Sequence, residues 1–302
     1  MEHASKKAVI AALFGNLAIA VFKLVAAVMT GSSSMLAEAY HSISDTFNQV
    51  LLLVGLVSSR RAPDSEHRFG HGKEQYFWSF VVAMILFGIA GTLSVREGYH
   101  KFVHPEPISQ IGLAYLAIAV AMVFETFALR VAIKSIRSEM EREEHRNFFE
   151  AIRNSKDPTI LTVFFEDSLA LIGVLIAAAG IGLAALTGRL VFDALASVLI
   201  GVLLMVFALY LAFETRKLLL GESVTPLKRR RILQAIRSFE EVENVVSLKT
   251  MHLGPEEVLV TLELEYKDSL RVVELEALND RIETSIKKIL PKAKIYLECE
   301  NK

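Results

Sequence analysis

The chain has 302 residues, 53% of them hydrophobic, and 33 basic side chains stand against 34 acidic ones. The single cysteine, Cys299, excludes an intramolecular disulfide and any CxxC metal motif, and it reads as a small packing residue. A balanced total can hide segregation, and here it does: residues 8–214 are dominated by apolar runs, whereas residues 215–302 read as a soluble domain. The domain organisation expected is therefore 1–214 in the membrane and 215–302 outside it. The basic run Lys228 to Arg231 lies near this junction and reads as a solvated helix face or topology signal, not a nucleic-acid surface.

The first apolar run, 8–30, is too long for the core of a signal peptide and ends in no small-residue cleavage site, so it is expected as a retained span. A helix crosses a bilayer in about 20 mainly apolar residues. Six segments qualify, at roughly 8–30, 35–58, 76–98, 108–134, 158–184 and 190–213. Their breaks carry turn or charge signals: Gly31 to Ser34, the polar loop 59–74, His104 to Pro107, the charged run 137–157, and Thr187 to Arg189. Asp157 is expected to cap the fifth span, with Pro158 at its first position. Arg60, Arg61, Arg68 and Lys73 in the second connection, and Arg137, Arg142, Arg146, Arg153 and Lys156 in the fourth, place both termini in the cytosol.

Ionisable side chains inside a span are costly and therefore functional suspects. Lys23 in the first span reads as a side chain snorkelling or paired inside the bundle, with Glu125 of the fourth span a candidate partner. In the second span Glu38, His41 and Asp45 fall on one helix face. His41 and Asp45, one turn apart, can chelate a single ion, and imidazole nitrogen with carboxylate oxygen suits zinc or another first-row metal. The fifth span contributes Glu166 and Asp167. At 1.5 Å per residue Asp45 lies about 15 Å down the second span and Asp167 about 14 Å up the fifth, so both sit at one level of a core about 30 Å thick. The spacing allows a shared midplane site. In the 59–74 loop, Asp64, His67 and His71 form a second credible ligand set, equally readable as a polar loop with local hydrogen bonds. Beyond Gly221 the pattern predicts helix 225–238, strand 243–251, strand 257–266, helix 271–288 and strand 293–299, the middle strand marked by Val258, Val260 and Leu262 alternating with Leu259, Thr261 and Glu263.

At these residues the sequence resembles the cation diffusion facilitator family of metal transporters. The resemblance runs over essentially the whole chain: Gly15, Asn16 and Lys23, the stretch GSSSMLAEAYHSISD ending at Asp45, the loop PDSEHRFGHGKEQYFW, the stretch FFEDSLALIGVLIA, and the soluble tail. It looks most like the branch containing the eukaryotic organellar zinc transporter nine type. The resemblance implies a six-span helical membrane domain followed by a small cytosolic αββαβ, metallochaperone-like (ferredoxin-like) domain that forms a homodimer. It implies a transport site with two ligands from the second span and two from the fifth. His41, Asp45 and Asp167 match three of these positions, and the fourth falls on Val163, which binds no metal; Glu166, water or a different metal must compensate. Asp64, His67 and His71 match the family's loop site. In the tail the histidines of relatives are mostly missing: His252 is off-position and only Glu298 and Glu300 fall where ligands would sit, so tight zinc binding there is not expected.

The function so implied is efflux of a divalent cation from the cytosol, zinc first, by antiport with protons, with the metal as cargo and no cofactor or enzymatic chemistry. Metal, protons, the lipid bilayer and a second copy are the expected partners, and the plasma (inner) membrane is the expected location in a prokaryote. No GxxxxGK[ST] motif provides for ATP, and no HExxH motif supports an intramembrane hydrolase. The alternatives kept are a Mn or Fe(II) transporter of the same family and a transport-inactive metal-binding sensor or scaffold.

Overall fold

The computed structural model describes residues 2–142, 147–154 and 158–300. Asp157, expected as a helix cap, and the loop charges Arg146 and Lys156 lie outside the described residues. The chain forms two compact units, Met1–Gly55 with Phe77–Thr215, and Leu56–Tyr76 with Arg216–Lys302.

The first unit is helical. Its elements are α1 (Glu2–Thr30), α2 (Ser33–Ser59), α3 (Glu74–Ile85) running through a π-helical segment (Leu86–Gly91) into α4 (Thr92–Val103), α5 (Ile111–Arg142), the short α6 (Phe148–Asn154), α7 (Pro158–Thr187) and α8 (Val191–Leu220). Helices are the form a chain takes where no water can satisfy backbone groups. Among the described residues four helices are long and apolar enough to cross a membrane: Glu74–Val103, Ile111–Ser138, Ile160–Thr187 and Val191–Leu220. Gly15–Thr30 is a shorter apolar helix, and α2 spends part of its length on Glu38, His41, Asp45 and Asn48, which lowers its hydropathy. The fourth connection differs from the expected unbroken charged loop. α5 continues to Arg142, and α6 forms because Phe148, Ala151 and Ile152 pack on Ile136, Leu161 and Phe164.

Small residues let these helices approach closely. Ala26, Ala27, Ala114, Ala117 and Ala121 make one buried seam between α1 and α5, with Val174 and Ile181 of α7 against it. The start of α2 is held by α8. Asp193, fully buried, accepts from the backbone N–H groups of Ser33 (2.8 Å) and Ser34 (3.2 Å), and from the hydroxyls of Ser32 (2.7 Å), Ser33 (3.1 Å) and Ser34. A carboxylate there satisfies orphan N–H groups and complements the positive end of the helix dipole.

The tail of the second unit is α9 (Pro226–Arg237), β1 (Val242–His252), β2 (Glu257–Tyr266), α10 (Val272–Ile289) and β3 (Lys292–Glu300), within a residue or two of the bounds read from the sequence. The sheet order is β1-β2-β3, with β1 antiparallel to β2 and β2 parallel to β3 across α10. Thr225 caps α9, its hydroxyl accepting from the Lys228 N–H, with Pro226 in the first turn. Alternate β2 residues Val258, Val260, Leu262 and Leu264 point inward onto Ile232 and Ile236 of α9 and Leu278, Ile282 and Ile286 of α10. Arg229 and Arg230 are exposed on α9, a solvated face. Cys299 is also exposed, in the exposed last residues of β3, and so is not a packing residue.

Candidate metal sites

Four helices of the first unit line a cavity of about 400 Å³. Asn16 comes from α1, Asp45 and Gln49 from α2, Glu125 from α5, and Val163, Glu166 and Asp167 from α7. Asp45 and Asp167, matched in depth by helical rise alone, thus line one space. His41 is fully buried behind Asp45, with Nδ1 3.2 Å from Asp45 Oδ1. Neither of those atoms meets hydrogen-bond geometry, and His41 Nε2 also lacks a partner. Buried polar atoms are nearly always satisfied, so orphaned imidazole nitrogens beside a carboxylate suit a ligand waiting for a cation.

Glu166 is buried, and its Oε1 accepts a 2.8 Å hydrogen bond from Asn48 Nδ2. The sequence reading missed Asn48; its signal was present, since it lies three residues past Asp45 and seven past His41 on the same face of α2. Val163, one turn before Asp167, lines the cavity with an apolar side chain where a ligand would complete the set. His41, Asp45 and Asp167 do not bring one ligand atom each within 4.8 Å of one another, so the set is gathered but not closed. Glu38 departs from the three-residue face read in the sequence. It turns to Lys23, whose ammonium sits 3.0 Å from Glu38 Oε2 and 3.0 Å from Glu125 Oε1.

In the second unit Asp64, His67 and His71 do bring one ligand atom each within 4.8 Å, the single such group among the described residues. Asp64 Oδ1 lies 3.4 Å from His67 Nδ1, and Oδ2 lies 3.3 Å from His71 Nε2. The backbone N–H groups of His67 (2.7 Å) and Glu66 (2.9 Å) donate to Asp64 Oδ1 and hold its carboxyl below the usual range. The loop rests on the tail. A Cβ on Gly72 would come within 2.5 Å of Leu253 O and 3.1 Å of Gly254 Cα, so only glycine permits this approach. Lys294 Nζ donates to Phe69 O at 2.6 Å, and Tyr296 packs edge-on to the Phe69 ring. Elsewhere in the tail His252 is buried, its backbone N–H donating to the Glu222 carbonyl, while Glu298 and Glu300 are exposed on β3. These three do not form a ligand cluster among the described residues.

Residues 9–220 match the cation efflux transmembrane domain and residues 224–302 the cytoplasmic domain of cation efflux proteins. The chain is 34% identical over 260 residues to the Xenopus laevis protein named "Proton-coupled zinc antiporter SLC30A9, mitochondrial", covering 86% of this chain and 46% of that one. It is 31% identical over 273 residues to "Metal tolerance protein C4" of Arabidopsis thaliana, covering 90% and 59%. It is 24% identical over 295 residues to "Cation-efflux pump FieF" of Klebsiella pneumoniae (strain 342), covering 96% and 91%. The chain spans about half the length of the zinc antiporters it matches. With two family matches that together run from residue 9 to residue 302, the chain is an integral membrane protein belonging to the cation efflux, or cation diffusion facilitator, family.

Proposed function

We propose that the chain carries a divalent transition-metal cation, zinc first, out of the cytosol in exchange for protons. The observation that supports this most is the cavity in which Asp45 of α2 meets Glu166 and Asp167 of α7, with His41 orphaned behind Asp45. In this reading α1, α2, the α3–α4 pair, α5, α7 and α8 are six spans, and residues 1–214 form the transport domain. Both termini are cytosolic, and residues 215–302 join two copies into a homodimer. In a prokaryote the membrane is the plasma (inner) membrane.

His41, Asp45 and Asp167 hold the cargo, and Glu166 contributes the fourth contact that Val163 cannot. Metal needs neutral imidazole and ionised carboxylates, so cation and proton compete for the same atoms, and one site serves both directions of the exchange. Asp64, His67 and His71 form a second cation site on the cytosolic face. The names of the relatives, two of which specify zinc antiport or cation efflux, agree with this direction and cargo. A Mn or Fe(II) preference is the second reading, favoured by Val163 and the oxygen-rich ligand set.

The test is metal-by-metal uptake into proteoliposomes under an imposed pH gradient. Zinc flux that follows the gradient, and that Asp45→Ala and Asp167→Ala each abolish without unfolding the protein, is the expected result. Wild-type flux in both variants places the site elsewhere, and no flux with any divalent cation leaves a sensor or scaffold.

A further inference from the structure

The cavity ends on one side at a layer of charge. Its lining stops at Ile19 on α1, at Ser42 on α2 and at Phe124 and Glu125 on α5, while in the other direction it continues to Gly15, Gln49 and Ser135. One helical turn past the end, toward the α1–α2 turn, stand Lys23 and Glu38, both buried. Lys23 Nζ bridges Glu38 Oε2 and Glu125 Oε1, each at 3.0 Å, so one ammonium ties α1, α2 and α5 together. α7 joins through Gly173, where any Cβ would overlap Glu38 Oε1, an oxygen left without a hydrogen-bond partner. Immediately past this layer Ala26, Ala27, Met35, Ala117 and Ala121 pack into a buried apolar cluster.

Stability alone does not account for this triad. Apolar residues of similar volume commonly serve as well as a buried ion pair, whereas removal of one partner strands the others. Nor is it a cation site as it stands, because the ammonium already fills the space between the carboxylates. Glu125 belongs to both places: it lines the cavity and it holds Lys23.

Resting on the transport reading above, we propose that the Lys23–Glu38–Glu125 triad is the barrier that closes the cation path on the side of the α1–α2 turn. Lys23 must leave Glu125 for that side to open. Of the triad, Glu125 is the member that lines the cavity, so a cation held there is the natural rival of the ammonium for it. Opening exchanges one bound cation for another and leaves no carboxylate bare.

The test measures access past the triad. In a Cys299→Ser background, one reporter cysteine is placed beyond it (Ala121→Cys) and another on the cavity side (Ser135→Cys). A charged thiol reagent is then applied to the full-length protein in detergent. With the triad intact, the cysteine at 121 reacts far more slowly than the one at 135. Lys23→Met leaves two facing carboxylates and shifts the population toward the open form, raising the rate at 121 by about tenfold or more. It leaves the rate at 135 within about twofold, and Lys23→Arg restores the slow rate at 121. Glu125→Gln, which keeps the Lys23–Glu38 pair, gives a smaller rise and carries the test if Lys23→Met does not fold. An unchanged rate at 121 in folded Lys23→Met, or in folded Glu125→Gln if that variant alone folds, overturns the barrier. Labelling is read without transport, so loss of the transport reading shows separately, as absent flux in liposomes made from the parent protein.

Discussion

Asn48 on α2 donates a 2.8 Å hydrogen bond to Glu166 on α7, one turn from Asp45 and beside Asp167. The bond occupies Oε1 of Glu166 and leaves the other oxygen for the cavity. Glu166→Gln is expected to weaken zinc binding about tenfold or more, and Asn48→Ala by a smaller factor, since it removes orientation but no ligand. Calorimetry on purified protein decides it. Full affinity in Glu166→Gln would retire this residue from the coordination shell.

Val163 lines the cavity one turn before Asp167. Nitrogen ligands favour zinc over Mn, and a harder, more oxygen-rich complement narrows that preference. Val163→His should therefore raise the zinc-to-Mn flux ratio above that of the parent in a competition assay. An unchanged ratio in a well-folded variant would show that the side chain at 163 does not reach the cargo.

Asp193 gathers five donors from Ser32, Ser33 and Ser34. Asp193→Ala strands these buried groups and is expected to cost about 2–4 kcal/mol of stability. Asp193→Asn should cost less, because one oxygen still accepts. Denaturation in detergent, followed by far-UV circular dichroism, measures both. Equal stability of Asp193→Ala and the parent would mean that water replaces the carboxylate.

In the loop site, backbone N–H donors lower the Asp64 pKa. A depressed carboxyl adds stability that is present above its unfolded value and lost as pH falls through the folded value. On mild acidification Asp64 therefore stays ionised and remains available as a ligand. His67→Ala and His71→Ala, each removing one of the three ligands, should each weaken metal binding at this site sharply, as read by equilibrium dialysis with the transport site disabled by Asp45→Ala. Unchanged binding in both variants would show that the ion does not sit at this loop. Gly72→Ala, which drives a Cβ into Leu253, should loosen the loop and weaken the same binding.

The tail has its own core in Ile232, Val260, Leu262 and Ile282. Residues 222–302 alone are expected to fold and dimerise without tight zinc binding, because His252 is buried away from Glu298 and Glu300. Sedimentation and zinc titration of this fragment test both halves. Submicromolar zinc binding would show that a second copy completes a ligand set.

The secondary structure was largely legible because its causes are local. The β2 alternation from Val258 to Leu264 and the caps at Thr225 and Pro226 act over a few residues, and the tail elements followed from them. α6 was missed because its apolar side chains are too few to announce a helix; they form one only against Ile136 and Phe164. Helical rise also sufficed to put Asp45 and Asp167 at one depth, since both spans start from turns visible in the sequence.

Which side chains meet was another matter. By sequence Glu38, His41 and Asp45 are equivalent members of one helix face, and only the neighbouring helices separate them. Lys23 and Gly173 claim Glu38 for an ion pair at the end of the cavity, while Asp45 is left to face Asp167. Likewise nothing local links Asn48 to Glu166, or Asp193 to the serines at the start of α2. The sequence by itself determined the long helices, the tail and the inventory of ligand-capable groups, because periodicity and turn chemistry are properties of short stretches. Only tertiary packing decided which carboxylates are neutralised by protein and which remain for a cation, because that depends on charges brought together from distant parts of the chain.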